Sequence, residues 1–116
     1  MPTRNAVITE LPHARLVTWS GLLNTDDGNP FEGAEFADRT AQVTGTFGAA
    51  GSVQLEGSNN GTNWAVLADP QGNALTFTTG RIEQVLELPR FIRPLVTAGD
   101  GTTNLTVSMF CRRGLR

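Results

Sequence analysis

Few side chains of this 116-residue chain belong to the types that usually catalyse reactions or bind metals. There is one histidine, His13, and one cysteine, Cys111, which together cannot supply the four ligands of a zinc site. No serine or cysteine nucleophile motif accompanies His13, so an exposed polar role is expected for it. Cys111 lies on the same predicted face of a strand as several apolar residues, which favours a buried thiol over a reactive one. We therefore expect no enzyme, no catalytic residue and no cofactor.

An acidic segment is the next candidate for chemistry. Between residues 26 and 38 there are several carboxylates and no basic residue. Asp26, Asp27, Asn29 and Glu32 could offer oxygen ligands of the kind that calcium prefers, and Gly28 could let the loop turn sharply. The spacing does not match an EF-hand, and a solvated acidic loop explains the same residues. We favour the solvated loop and predict no metal site.

Two tryptophans, Trp19 and Trp64, could stack on sugar rings, because carbohydrate-binding modules present flat aromatic side chains. Trp64 follows a polar turn, which suits such a role. The alternative is that Trp64 begins a strand and packs over the edge of the core, with its indole N–H bonded to a turn carbonyl. Since the chain has no tyrosine to extend a stacking platform, we favour the packing role.

The elements that would position these residues are β-strands. Val53 and Leu55 alternate with polar residues, a polar turn containing Asn60 and Gly61 follows, and an apolar run resumes at Trp64. The cleanest alternation lies near the C-terminus, where the residues expected to face inward are Leu105, Val107, Met109 and Cys111. This pattern predicts an all-β, single-domain β-sandwich, jelly-roll-like, with about eight short antiparallel strands.

Prolines and ambiguous spacing affect three segments of the pattern. Residues 6–9 could form a short strand, but Pro2 and Pro12 favour an extended N-terminal arm over residues 1–14, followed by the sandwich over 15–113 and a tail over 114–116. Residues 81–88 fit helical spacing as well as a strand, and we assign a strand. Pro94 interrupts the segment 91–97, which predicts a sheet edge or a bulge there.

Charge and hydropathy exclude several classes of partner. The net charge is −2, and all nine cationic residues are arginines, so no basic excess favours nucleic acid. No apolar run approaches the ~20 residues of a membrane-spanning helix. The N-terminal residues contain no signal-peptide core, so we expect synthesis in the cytoplasm without Sec-type export. A single cysteine excludes an internal disulfide.

Two resemblances follow from these residues. The hairpin from Glu56 to Trp64 resembles the "GSNDGTNW" hairpin of discoidin-like and other jelly-roll domains, with Asn60 at the position of the more usual aspartate. The region 53–113 resembles small proteins encoded beside the major capsid protein in tailed bacteriophages. The stretches that carry this second resemblance are the hairpin and residues 69–76, 90–97 and 99–107.

The second resemblance implies a head decoration or cement protein. Such a protein would be non-enzymatic, would lie on the capsid surface of the virion and would bridge neighbouring subunits of the major capsid protein. Homo-oligomers, dimers or trimers, are also expected, since exposed strand edges invite pairing. A carbohydrate-binding or host-adhesion module of a phage tail is the alternative, and a small hydrolase would need a pocket with converging carboxylates.

The predicted partner-binding residues come from both ends of the chain. The N-terminal segment carries apolar side chains without a strand period that would bury them, and the C-terminal segment is basic and could contact acidic groups of the capsid or of another copy. These residues are Arg4, Val7, Ile8, Leu11, Arg112 and Arg113.

Overall fold

The structure, a computed structural model, describes residues 2–33 and 35–113. These residues form two β-sheets packed as a sandwich, which confirms the predicted fold class. Seven strands have four or more residues, close to the predicted number, and five further strands have only two. The tail predicted over 114–116 lies outside the described residues. The strands are β1 (Thr3–Arg4), β2 (Ala6–Leu11), β3 (Ala14–Leu22), β4 (Asp27–Gly28), β5 (Phe31–Glu32), β6 (Asp38–Thr46), β7 (Ser52–Ser58), β8 (Ala65–Val66), β9 (Thr76–Phe77), β10 (Arg81–Gln84), β11 (Phe91–Ala98) and β12 (Asn104–Arg112).

The smaller sheet has the order β10-β6-β12-β3-β2, and every neighbouring pair in it is antiparallel. In the larger sheet β11 and β7 pair at the centre, β4 and β5 flank β11, and β8 and β9 flank β7. The chain crosses between the sheets repeatedly, so each sheet contains strands that are distant in sequence. No helix in the described ranges is long and apolar enough to cross a membrane.

The core lies between the two sheets and combines the side chains that alternation predicts with residues from outside the strands, among them Phe36, Leu75 and Val85. All four inward-facing residues predicted for β12, including Cys111, are almost fully buried. Burial raises the pKa of the Cys111 thiol to about 11, so the thiol stays protonated and unreactive at neutral pH. Trp19 is also fully buried, and its indole Nε1 donates a hydrogen bond of 2.9 Å to the Asn29 carbonyl.

The N-terminal segment differs from the extended arm that was predicted. Residues 6–11 form β2, which pairs with β3 from Ala6 opposite Trp19 to Leu11 opposite Ala14. Pro12 does not prevent this pairing, because it occupies the two-residue turn with His13, whose φ of 58° completes the reversal. The short-strand alternative is therefore the one observed, and β2 is an edge strand of the smaller sheet.

Of the two alternatives predicted for the segment 91–97, a sheet edge is not observed, but the register between β11 and β7 does shift between Val96 and Ala98, as a bulge would produce. β11 is flanked on both sides, and Pro94 lies directly opposite Leu55 of β7. The backbone groups of Leu55 bond away from β11, to Leu75 and Leu67, so this pair is not hydrogen-bonded. The missing N–H of Pro94 consequently faces Gly28 of β4, beyond the single registered pair of Leu95 with Asp27. For 81–88, the strand interpretation is confirmed over Arg81–Gln84, which form β10, whereas residues 85–88 lie outside the strand.

The hairpin between β7 and β8 is confirmed, but its turn is longer than a two-residue Asn-Gly turn. Asn60 Oδ1 accepts backbone hydrogen bonds of 2.9 Å from both Thr62 and Asn63, and Ser58 Oγ accepts one of 2.9 Å from Gly61. These are acceptor roles that an aspartate would also fill, which explains why Asn60 can stand at the position of the usual Asp.

We expect replacement of Asn60 by Ala to destabilise the protein by about 2 kcal/mol, because two backbone donors lose their acceptor. Replacement by Asp should be neutral or stabilising, since a carboxylate accepts the same two bonds. Urea unfolding of both variants measures the difference. Equal stability of N60A and N60D would contradict the assigned role of the side-chain oxygen.

Candidate partner-binding surface

The outer surface of the smaller sheet is nearly free of charge. We call the outward-facing side chains of β2, β3, β6, β10 and β12 the neutral face. Most of them carry hydroxyl or amide groups, among them Thr40, Gln42, Thr44, Thr106 and Ser108. The larger apolar side chains of this face are those of Val7, Leu11, Leu16, Ile82 and Phe110. Within the described residues its charged groups are Arg112 and Asp38, which lie 3.8 Å apart at one end of the sheet.

Four apolar residues of the neutral face are substantially exposed. Val7 is 61% exposed, Ile82 57%, Leu11 41% and Phe110 38%. Isolated exposed apolar residues need no explanation, but a flat surface that lacks charge and carries several of them is typical of protein contacts. The strands form this face because their inward residues are apolar and their outward residues are β-branched or small.

The structure separates the predicted partner-binding residues into three groups. Val7 and Leu11 lie on the neutral face, and Arg112 lies at its end. Ile8 is 47% exposed and lies on the face of β2 opposite to that of Val7. Arg4 and Arg113 are occupied by ion pairs within the chain.

The basic residues pair with the acidic segment of the same chain. The Arg4 Nε is 2.8 Å from Asp26 Oδ2, and the Arg113 Nη2 is 3.2 Å from Glu35 Oε2. The Arg113 guanidinium also lies 5.9 Å from the centre of the Phe36 ring. The charge complementarity that we expected between copies or with a capsid is thus present inside one chain for these pairs.

The prediction that the acidic segment is a solvated loop was partly wrong. Asp26 and Asp27 are buried, at 1% and 6% exposure, whereas Glu32 is exposed. Asp26 Oδ2 accepts the Leu23 N–H at 2.9 Å, and Asp27 Oδ1 accepts the Thr3 hydroxyl at 2.7 Å. These carboxylates hold the N-terminal strand against β4. Within residues 2–33 and 35–113 no cluster of three or more metal-ligating side chains occurs.

Trp64 packs on the outer surface of the larger sheet, and not over the core edge as predicted. The guanidinium of Arg93 lies 4.0 Å from the centre of its ring, a cation–π distance. Arg93 Nε is 2.6 Å from Glu56 Oε1, and its Nη1 is 3.6 Å from Asp27 Oδ2. Trp64 therefore covers a buried charge cluster, and the fully buried Trp19 cannot join it in a stacking platform.

One surface groove lies between the β7–β8 hairpin and residues 87–89, with a volume of about 520 Å³. Gly57, Leu67 and Pro89 line its floor, and Glu87 is the ionisable residue that contributes to it. The Glu87 carboxylate accepts the Ala68 N–H at 2.7 Å. The groove thus holds no pair of carboxylates of the kind that glycoside hydrolysis needs.

No protein-family model and no curated protein matches this chain. Its fold is similar to that of the SPBc2 prophage-derived protein YomS, whose crystal structure matches with a TM-score of 0.64 at 9% sequence identity. The match covers 89% of this chain and 97% of YomS. KdgF from Halomonas sp. matches with a TM-score of 0.45 at 15% identity, over 95% of this chain and 79% of KdgF. The likeness to YomS shows a shared fold.

Proposed function

We propose that this protein is a non-enzymatic structural component of a phage particle that binds the capsid through the neutral face and bridges neighbouring subunits of the major capsid protein. The observation that carries the proposal is the uncharged outer surface of the smaller sheet. A flat surface without charges loses little solvation free energy when another protein covers it. The resemblance to head decoration proteins and the fold shared with a prophage-derived protein support the same assignment.

Weak contacts suffice for such a role, because a shell repeats each contact many times. A decoration protein that touches two subunits adds buried area across the seam between them, and symmetry multiplies the gain over the particle. The exposed apolar residues of the neutral face, such as Phe110 and Leu11, would provide the buried centre of each contact. The position of Arg112 at the end of the face suits the polar rim.

Placing a negative charge in the neutral face should weaken capsid binding by about tenfold or more, because an unpaired carboxylate would become buried in the contact. Thr44→Glu makes this change on β6, where the side chain is exposed. Thr62→Glu makes the same change in the exposed β7–β8 turn and should bind like wild type. Co-sedimentation with capsid shells of the encoding phage, with circular dichroism of each variant, measures the effect.

Two results would overturn the proposal. One is equal binding of the two variants, which would show that the neutral face does not contact the shell. The other is absence of the protein from purified particles when their composition is counted by mass spectrometry. Binding to glycans that disappears in a Trp64→Ala variant would instead favour the adhesion module.

A further inference from the structure

We propose that two copies of the protein pair through β2, antiparallel and across a two-fold axis at Val7, to join their smaller sheets into one continuous sheet. The use of such a dimer on a particle rests on the proposed function, whereas the pairing itself can be tested on the isolated protein. The free edge of β2, its exposed side chains and the fit of its sequence to itself all favour this pairing.

The free side of β2 presents unpaired backbone groups. The two-residue turn closes on Leu11 and Ala14, which form a hydrogen-bonded pair, so Leu11 and the alternate residues of β2 bond to β3. The N–H and C=O groups of Ala6, Ile8 and Glu10 therefore point away from the sheet. Among the described residues no strand other than β3 pairs with β2.

The two edges of the smaller sheet differ in their protection against pairing. At the opposite edge, β10 has four residues and carries a charged pair, Arg81 and Glu83, whose Nε and Oε2 atoms are 2.9 Å apart. β2 has six residues, no proline and a single charge, and its apolar Val7 and Ile8 are exposed. Charges and short length are devices that block edge pairing, so β10 is protected and β2 is not.

The sequence of β2 fits itself in the antiparallel direction. With Val7 opposite Val7 of the second copy, Ala6 lies opposite Ile8 and forms a hydrogen-bonded pair with it in both directions. Arg4 belongs to β1 in the larger sheet, so the paired segment is confined to the residues of β2. The charged side chain of β2, Glu10, is 68% exposed and lies beyond the central pairs.

The dimer would double the neutral face. Val7 and Leu11 of both copies point to the same side as Phe110, so the two uncharged surfaces become one surface across the two-fold axis. Each half could then contact a different capsid subunit, which is the geometry that bridging requires. Ile8, which is exposed in one copy, would be covered beside Ala6 of the other.

The register gives a specific crosslinking test. Val7→Cys should form an intermolecular disulfide readily under mild oxidation, because facing residues in a non-hydrogen-bonded pair have Cα atoms about 4.5 Å apart. Thr9→Cys is the matched control, since its counterpart would lie about 13 Å away along the strand and should not crosslink. The native Cys111 is buried and does not compete.

Charge complementation at the same position tests the pairing without a covalent bond. Size-exclusion chromatography with multi-angle light scattering should give wild type twice the 12.4 kDa mass of one chain. Val7→Lys and Val7→Glu should each have the mass of a monomer. An equimolar mixture of the two variants should restore the dimer, because residue 7 faces its own counterpart. Circular dichroism identifies any variant that fails to fold.

A monomeric wild type at several hundred micromolar, or efficient crosslinking of Thr9→Cys, would overturn the inference. Failure of the mixed variants to associate while each is folded would overturn it as well. A monomeric protein that still binds capsids would contradict the dimer and support the proposed function. A dimer that does not bind capsids would contradict the proposed function and support the dimer.

Discussion

The Gly28→Ala variant should be strongly destabilised, by about 3 kcal/mol or more, although the change adds a single methyl group. A Cβ atom at position 28 would lie 2.5 Å from Trp19 Cδ1 and 2.7 Å from Pro94 Cδ. Neither neighbour can move easily, because the Trp19 ring is fully buried and bonded to the Asn29 carbonyl, and Pro94 is held in β11. Urea or thermal unfolding measures the loss.

A matched control separates this steric effect from the general cost of replacing glycine. A Cβ atom at Gly101, in the turn before β12, would meet no atom within 4 Å. Gly101→Ala should therefore leave the free energy of unfolding within about 0.5 kcal/mol of wild type. Similar stability of the two variants would show that Gly28 does not form the close contact between the sheets that the structure assigns to it.

The alternation of side chains predicted the class of fold because a strand with one buried face must repeat every second residue. The inward residues of β12 and the hairpin between β7 and β8 were predictable for this reason. The role of Gly28 was not, because it depends on Trp19 and Pro94, which lie nearby in space and far away in sequence. Local patterns carry no information on which distant side chains will meet.

The edge strand β2 also shows what the local sequence could not predict. Val7 and Ile8 were predicted as partner-binding because they are apolar and Pro2 and Pro12 argued against a strand. The structure retains their exposure but places them in a paired strand, since Pro12 fits a two-residue turn. The partner-binding role of the six chosen residues stays a prediction, and the neutral face, which spans strands distant in sequence, could not be recognised before the sheet order was known.

Buried charges were the features least visible in the sequence. Arg39 follows the acidic segment and would be expected at the surface, yet it is 2% exposed. Its Nε and Nη2 donate to the carbonyl oxygens of Phe36 and Gly33, and burial lowers the pKa of its guanidinium. Its Nη1 has no hydrogen-bond partner within the described ranges. These carbonyl groups belong to residues three and six positions before Arg39, and no pattern in the sequence marks them as its acceptors.

The charge cluster under Trp64 leads to the second large expected effect. Arg93→Met should destabilise the protein by about 3 kcal/mol, because Glu56 and Asp27 would stay buried without their shared cation. Their side chains are 6% and 8% exposed, so water cannot replace the guanidinium. Methionine keeps much of the apolar stem of arginine against Trp64, and the loss therefore reports on charge more than on packing. Urea unfolding at neutral pH measures it.

Two further variants decide whether burial causes the effect. Arg90 forms a similar contact, with Nε 2.7 Å from Glu32 and its guanidinium 4.8 Å from the Phe91 ring centre, but both charged side chains are more than half exposed. Arg90→Met should therefore cost about 0.5 kcal/mol, as exposed ion pairs do. Adding Glu56→Gln to Arg93→Met should recover part of the loss, because the stranded carboxylate is then neutral. If Arg90→Met and Arg93→Met cost the same, desolvation of Glu56 and Asp27 is not what makes Arg93 important.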